Sequence, residues 1–218
     1  MDLLPVVGAA VIVGAAVGAF ASVMEWREEA SLTLSMKRGL HHCVYGLVHG
    51  GTSEDYYDLD EALADPEVGR LIARKYQAII EQLIEEVGPI DKLLFIEKRA
   101  GPVGAITLKD ALTHRTGIPA ITVRTRRRVQ AGMVKGPFSR GERAILITDV
   151  LTSGRTILEP IQKIQQLGLL QVVAVVGFLL RRREVEAELA SKRVVLRYAA
   201  GPEDLESAKR QLTLTDAR

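Results

Sequence analysis

The stretch Ala144-Ile-Leu-Ile-Thr-Asp-Val-Leu-Thr-Ser-Gly-Arg-Thr-Ile157 limits the possible folds of this 218-residue chain more tightly than any other. Ala144 to Ile147 are apolar or β-branched, the pattern of a strand buried in a parallel sheet. A carboxylate, Asp149, stands at the carboxyl end of that run. Two hydroxyls and a glycine follow (Thr152, Ser153, Gly154), and then a helix-like run from Thr156 to Leu167. In open α/β sheets ligands bind outside the carboxyl ends of strands, where loops lead into helices. Free backbone N–H groups at a helix start, with hydroxyl donors beside them, suit a phosphate. A carboxylate just upstream suits sugar hydroxyls or a phosphate-bound metal ion. The same residues also fit a plainer arrangement, in which Thr152 or Ser153 caps the helix and Asp149 merely ends the strand.

The flanking chain supplies the rest of an α/β domain. Val44 to Leu59 reads as a short strand, a Gly50-Gly51 turn and a second strand bearing Tyr56 and Tyr57. On pattern alone the two tyrosines are equally at home in ordinary strand packing. Asp65-Pro-Glu67 opens a long amphipathic helix to about Val87, with Val68, Leu71, Ile72, Ile79, Ile80, Leu83 and Ile84 at core spacing. Leu93–Ile96 is the next strand. The loop Glu97 to Gly104 follows, then a helix over 105–115 and a strand over 120–123. After the central stretch come a strongly apolar strand over 172–180, a last strand over 194–198 and a charged helix over 203–212. With 29 basic and 27 acidic residues the chain has no global nucleic-acid signature. Its one cysteine, Cys43, makes no internal disulfide, which fits a reducing compartment and an inert buried thiol.

Residues 3–24 carry no charge, and as a helix they would reach about 33 Å, enough to cross the hydrocarbon core. Only Asp2 precedes the run, so it lacks the basic start of a cleaved signal and reads as a retained anchor. Arg27, Lys37 and Arg38 follow it, which places the globular part on the cytoplasmic side of a single-pass protein. The expected division is therefore an anchor over 1–26 and a domain over 27–218. Ala10, Gly14, Gly18 and Ser22 line one face of that helix, a ridge open to close approach by partner transmembrane helices. So Val-, Ala- and Gly-rich a run also produces that spacing by chance.

The central stretch resembles the phosphoribosyl-pyrophosphate motif of type I phosphoribosyltransferases, a hydrophobic run, two acids, an apolar pair and then Thr-Thr/Ala/Ser-Gly-Gly/Thr. Thr148 stands for the first acid, Asp149 is the second, and Arg155 replaces a small residue. The segment Gly50 to Asp58, with Ser53, Tyr56 and Tyr57, is similar to the amino-terminal hairpin of the orotate branch of that family. His49 stands where that branch usually has Ser. Arg124-Thr-Arg-Arg-Arg-Val-Gln-Ala-Gly132 resembles its mobile catalytic loop at both ends, but is one residue longer and has Ala131 in place of the loop His. Arg181-Arg-Arg-Glu184 resembles its Asp-Arg-x-Glu element, with Arg182 and Glu184 matching and Arg181 replacing the Asp.

The resemblance covers about residues 40 to 200. It implies an α/β type I phosphoribosyltransferase fold, a central parallel sheet flanked by helices with an amino-terminal hairpin or hood, here behind one transmembrane helix. It further implies transfer of phosphoribose from phosphoribosyl pyrophosphate to orotate with Mg2+, in a homodimer whose loop closes over the neighbouring subunit's site. On this reading Thr152, Ser153, Gly154, Arg155 and Thr156 hold the 5′-phosphate, with Thr148 and Asp149 on the ribose. Gly101, Gly104, Arg124 and Arg128 approach the pyrophosphate, Asp149 and Arg128 are the catalytic residues, and Ser53, Tyr56, Tyr57 and Arg182 line the base. Lys98 and Arg99 add charge to a loop that reads equally well as solvated. Arg126, Arg127 and Arg128 suit either a developing pyrophosphate charge or an anionic lipid surface. Arginine cannot replace the titrating donors that the loop lacks. Thr148, Ala131 and Arg181 together therefore also fit a second expectation, a catalytically degenerate accessory subunit of a membrane complex. No metal ligand set is assigned from the sequence.

Overall fold

The computed structural model describes residues 40–46, 52–97, 103–124 and 133–216. Residues 3–24, with Ala10, Gly14, Gly18 and Ser22, lie outside them. Among the described residues no helix is long and apolar enough to cross a membrane.

Leu40–Gly46 (β1) and Thr52–Tyr57 (β2) pair antiparallel as a separate two-stranded sheet. A short helix, Leu59–Ala64 (α1), follows, and Asp58 caps it by accepting from the N–H groups of Asp60 and Glu61. Next comes the long helix Pro66–Val87 (α2). Its start is written in the sequence: Asp65 accepts from the N–H groups of Glu67 and Val68 at 2.9 and 3.2 Å, and Pro66 occupies the first turn. Gly88, at φ 85°, ends it in a conformation that favours glycine. The remaining elements are Lys92–Glu97 (β3), Val103–Thr116 (α3), Ala120–Arg124 (β4), Val134–Lys135 (β5), Glu142–Leu151 (β6) and Arg155–Gln166 (α4). Leu170–Leu180 (β7), Glu184–Ser191 (α5), Val195–Ala200 (β8) and Pro202–Asp216 (α6) complete the chain.

The main sheet has the order β5-β4-β3-β6-β7-β8. It is mixed rather than wholly parallel: β3, β4, β6, β7 and β8 run parallel, and β5 pairs antiparallel with β4. Nine residues join β4 to β5, fewer than the dozen or so that a parallel crossover needs, in keeping with an antiparallel return.

Each central strand buries both faces, which explains the unbroken apolar runs in the sequence. Leu93, Phe95, Ile145, Ile147, Val176 and Phe178 face one core with α2, α3 and α6. Leu94, Leu146, Val172 and Val175 face the other with Ile157, Ile161 and Ile164 of α4 and Val185 of α5. Val172 and Val175 share a face although three residues apart. The β6–β7 register accounts for this: Ala144 pairs Val172 but Ile145 pairs Ala174, and the extra residue, Val173, reverses the alternation.

Candidate functional site

Chain order reverses between β3 and β6: β4 and β5 lie beyond β3, whereas β7 and β8 lie beyond β6. Helix α3 packs on one face of the sheet and α4 on the other. Carboxyl ends of strands flanking such a reversal part and form the crevice in which α/β folds take ligands. Here β3–β6 pairing stops at Phe95↔Ile147, while β6–β7 pairing continues to Leu151↔Leu180. The cleft so opened has a volume of about 50 Å3 and is bordered by Phe95 and Ile96, Thr148 and Asp149, Asp60 of α1 and Leu108 of α3. Asp149 thus lies within β6 rather than just past it. The strand outruns its apolar stretch because β7 goes on pairing with it.

A fully buried side chain fixes that segment. Tyr76, from the middle of α2, donates its hydroxyl to the carbonyl oxygen of Thr148 at 2.6 Å. Below it, Phe178 of β7 lies against the Tyr76 ring at 6.4 Å and stacks on Tyr57 at 5.2 Å. Burial first, and then the Asp149 charge, push the Tyr76 hydroxyl well above the ordinary tyrosine range. Tyr57 is raised likewise, by burial and then by Asp58 and Asp149. Asp149 therefore stands among two neutral phenols, in reach of the cleft.

Beyond the strand, α4 starts at Gly154, whose φ and ψ are 71° and −8°, with no side-chain cap. Neither Thr152 nor Ser153 caps the helix, so the plainer reading of these hydroxyls is not what forms. Ile157 and Leu158 both donate to the Gly154 carbonyl, whereas the Arg155 and Thr156 amides precede the first intrahelical bonds. Ser153, Arg155 and Thr156 are exposed and Thr152 is half-buried. A Cβ on Gly154 would lie 2.4 Å from Val185 Cγ2 and 3.1 Å from Leu158 Cδ1. The tight loop therefore requires glycine. An uncapped helix start, hydroxyls and one carboxylate together suit a phosphorylated sugar.

The other expected residues divide. Arg124 ends β4 at the same sheet edge and is bound to Glu97. Gly104 is the second residue of α3. Arg182 is exposed just past β7, and the Arg181 N–H ties that end to the Leu151 carbonyl at 2.8 Å. Ser53 and Tyr56 lie on β2, with their side chains outside the described residues, as are Gly101, Arg128 and Ala131. Tyr57 turns inward: at 4% exposure, stacked on Phe178, its ring belongs to the core and not to an open base site. Tyr76, Asp60, Glu97 and Lys135 escape the sequence reading. Tyr76 alone gives a signal, as a residue with a polar tip on the stripe between Ile72 and Ile80.

No family model matches the chain. A UMP synthase of Leishmania donovani superposes over 85% of this chain and 38% of its own, with a TM-score of 0.68 and 23% identity. The fold is that of the type I phosphoribosyltransferases. Two further structures share it. The orotate phosphoribosyltransferase of Aeropyrum pernix superposes over 84% of this chain and 98% of its own, with a TM-score of 0.62 and 19% identity. That of Mycobacterium tuberculosis in complex with phosphoribosyl pyrophosphate gives 82%, 92%, 0.57 and 22% for the same measures. In sequence, the orotate phosphoribosyltransferase of Thermococcus gammatolerans is 27% identical over 150 residues, 67% of this chain and 74% of the relative. That of Pyrococcus furiosus is 30% identical over 125 residues, 56% of this chain and 64% of the relative, less than two thirds of its length. In this fold the crevice between β3 and β6 lies at the switch point, with Thr148 and Asp149 on its border.

Tyr76→Phe separates the two duties of that hydroxyl. A tyrosine whose folded pKa exceeds its unfolded value of about 10 adds stability that is intact below pH 10 and lost as pH rises toward the folded value. Tyr57 and Tyr76 together make stability fall by about 2.7 kcal/mol per pH unit above that point. Urea unfolding between pH 9 and 11 should show about half that slope in Tyr76→Phe. An unchanged slope would mean that the buried hydroxyl is not held neutral.

Proposed function

We propose that the chain is a phosphoribosyltransferase that moves phosphoribose from phosphoribosyl pyrophosphate to orotate. The observation that carries the reading is the uncapped start of α4 at Gly154, five residues after Asp149, which borders the cleft at the switch point of this fold. The orotate phosphoribosyltransferases among its relatives and the phosphoribosyl pyrophosphate bound to the Mycobacterium neighbour support the substrate pair.

On this reading the amides of Arg155 and Thr156, with the Thr152 and Ser153 hydroxyls, take the 5′-phosphate. Asp149 accepts from the ribose hydroxyls, and its charge favours the cationic sugar that forms as pyrophosphate leaves. Arg124 faces the leaving group, and Arg182, Ser53 and Tyr56 the base. Gly101, Gly104 and Arg128 remain assigned to the pyrophosphate side by resemblance. Among the described residues no three potential metal ligands cluster. Mg2+ keeps several waters and binds through one or two carboxylates plus substrate phosphates, so Asp149 and the Thr148 hydroxyl are hard donors that fit it. Bound there, it would neutralise charge on the departing pyrophosphate.

The test is turnover: purified protein with orotate, phosphoribosyl pyrophosphate and Mg2+, followed by orotate consumption. Product is expected. Folded protein that consumes no orotate would overturn the reading and favour the accessory-subunit role. Attachment to a membrane through residues 3–24, with the domain on the cytoplasmic side, is the second part of the proposal and rests on sequence. Deleting residues 1–26 should move the protein from the membrane to the soluble fraction of lysed cells; a soluble full-length chain would refute it.

A further inference from the structure

At the carboxyl edge of β3 and β4, one carboxylate serves two cations. Glu97 Oε2 accepts from Arg124 Nε at 2.9 Å, and Glu97 Oε1 accepts from Lys135 Nζ at 2.7 Å. Register dictates the grouping. Glu97 and Arg124 are partners in the β3–β4 ladder, so they leave the sheet on the same face. Lys135 of β5 pairs with Thr122, two residues before Arg124 and therefore on Arg124's face. All three side chains keep 40–42% of their surface in solvent. The hydrogen bond from Lys135 foremost, helped by that from Arg124, holds the Glu97 carboxyl below its ordinary range against the opposing effect of desolvation. It therefore stays ionised at neutral pH.

Two acceptor oxygens seated between a guanidinium and an ammonium reproduce the way a phosphate group is gripped. We propose that Glu97 is a built-in competitor for the diphosphate arm of the ligand, occupying the Arg124–Lys135 pair that binds diphosphate once the carboxylate is displaced. The inference rests on the reading of Arg124 as a diphosphate contact and adds two residues to it: Lys135 as a second cation of the same site, and Glu97 as the group that sets its affinity. With Glu97 in place the trio carries one net positive charge, and without it two. A diphosphate carries more negative charge than a single carboxylate and so displaces it as its concentration rises. Glu97 thereby restricts occupancy to highly charged ligands and disfavours a lone carboxylate or monophosphate.

Calorimetric titration with inorganic pyrophosphate tests this on the full chain. Exposed ion pairs are individually weak, so Glu97→Gln should tighten binding about three- to tenfold at low salt. The gain should shrink as salt screens the site. Adding Lys135→Met to Glu97→Gln should abolish the gain, and Lys135→Met alone should weaken binding; thermal unfolding midpoints verify that each variant is folded. Unchanged or weaker binding in Glu97→Gln would overturn the proposal, because Glu97 would then align the two cations rather than compete for them. Absence of pyrophosphate binding in both chains would overturn it as well. The titration needs neither orotate nor turnover. Tighter binding by Glu97→Gln in a chain without activity would leave this inference standing and remove the transferase reading; turnover with no gain in Glu97→Gln would do the reverse.

Discussion

Gly154→Ala should cost about 2–5 kcal/mol of stability, a large fraction of what many domains possess. Two terms make up the loss. The residue sits at φ 71°, a conformation that costs an L-residue with a Cβ about 1–2 kcal/mol. The added methyl would meet Val185 Cγ2 at 2.4 Å and Leu158 Cδ1 at 3.1 Å, and overpacking of that kind costs about 1–3 kcal/mol. Thermal unfolding should register a drop on the order of 10 °C. Trimming the obstacle, in Gly154→Ala with Val185→Ala, tests the partition. If the steric term is real the second change costs less in the Gly154→Ala chain than alone, and strict additivity would refute the contact. Whatever fraction stays folded should bind phosphoribosyl pyrophosphate poorly, because the loop and the first amides of α4 must shift to admit the methyl.

Asp149→Asn is the complementary change, large in activity and small in stability. Asparagine keeps the shape and one acceptor oxygen but removes the charge. If that charge opposes a cationic sugar, kcat should fall about 10²–10³-fold, as for loss of one group aimed at transition-state charge. Affinity for phosphoribosyl pyrophosphate should change much less, since on the proposed reading the 5′-phosphate is gripped by α4 and its loop. Steady-state kinetics at saturating substrates decide it. A variant within threefold of the wild type would mean that Asp149 is a bystander at the end of a strand. Asp149 also raises both buried tyrosines, so the variant should lose none of its alkaline stability.

Much of this was legible in the sequence where the signal is local. The run Ala144–Ile147 followed by Asp149 and Thr152–Gly154 announces a strand, an acid near its end and a loop into a helix, and the structure forms all three. Asp65-Pro66 announces the start of α2, and the structure places the cap there. What escapes is decided across the chain. The grip of Glu97 on Arg124 and Lys135 joins residues 27 and 38 positions apart, through strand register that no periodicity encodes. Tyr76 reaches Thr148 over 72 positions, and an α2 tyrosine gives no hint of which carbonyl its hydroxyl will meet. β5 and α1, at two and six residues, are too short for any period to show. Alternation along β2 separates Tyr56 from Tyr57, but only packing against Phe178 says that Tyr57 is the inward one.

The hairpin of β1 and β2 shares no ladder with the six-stranded sheet. Among the described residues its side-chain anchors are Leu40, packed on the core, and Tyr57 on Phe178; α1, which brings Asp60 to the cleft, continues directly from it. A two-stranded ribbon has little stability of its own, and segments held by few apolar contacts open at lower free energy than the body that carries them. The hairpin ladder can therefore open while α1, whose Leu59, Ala62 and Leu63 are buried, stays with the large sheet and its helices. Such a molecule would keep a native-looking circular dichroism spectrum and most of its compactness, yet have displaced the strand that carries Ser53 and Tyr56, the residues proposed for the base. For this protein, being folded and having a site are two different equilibria, and an inactive preparation needs both to be measured.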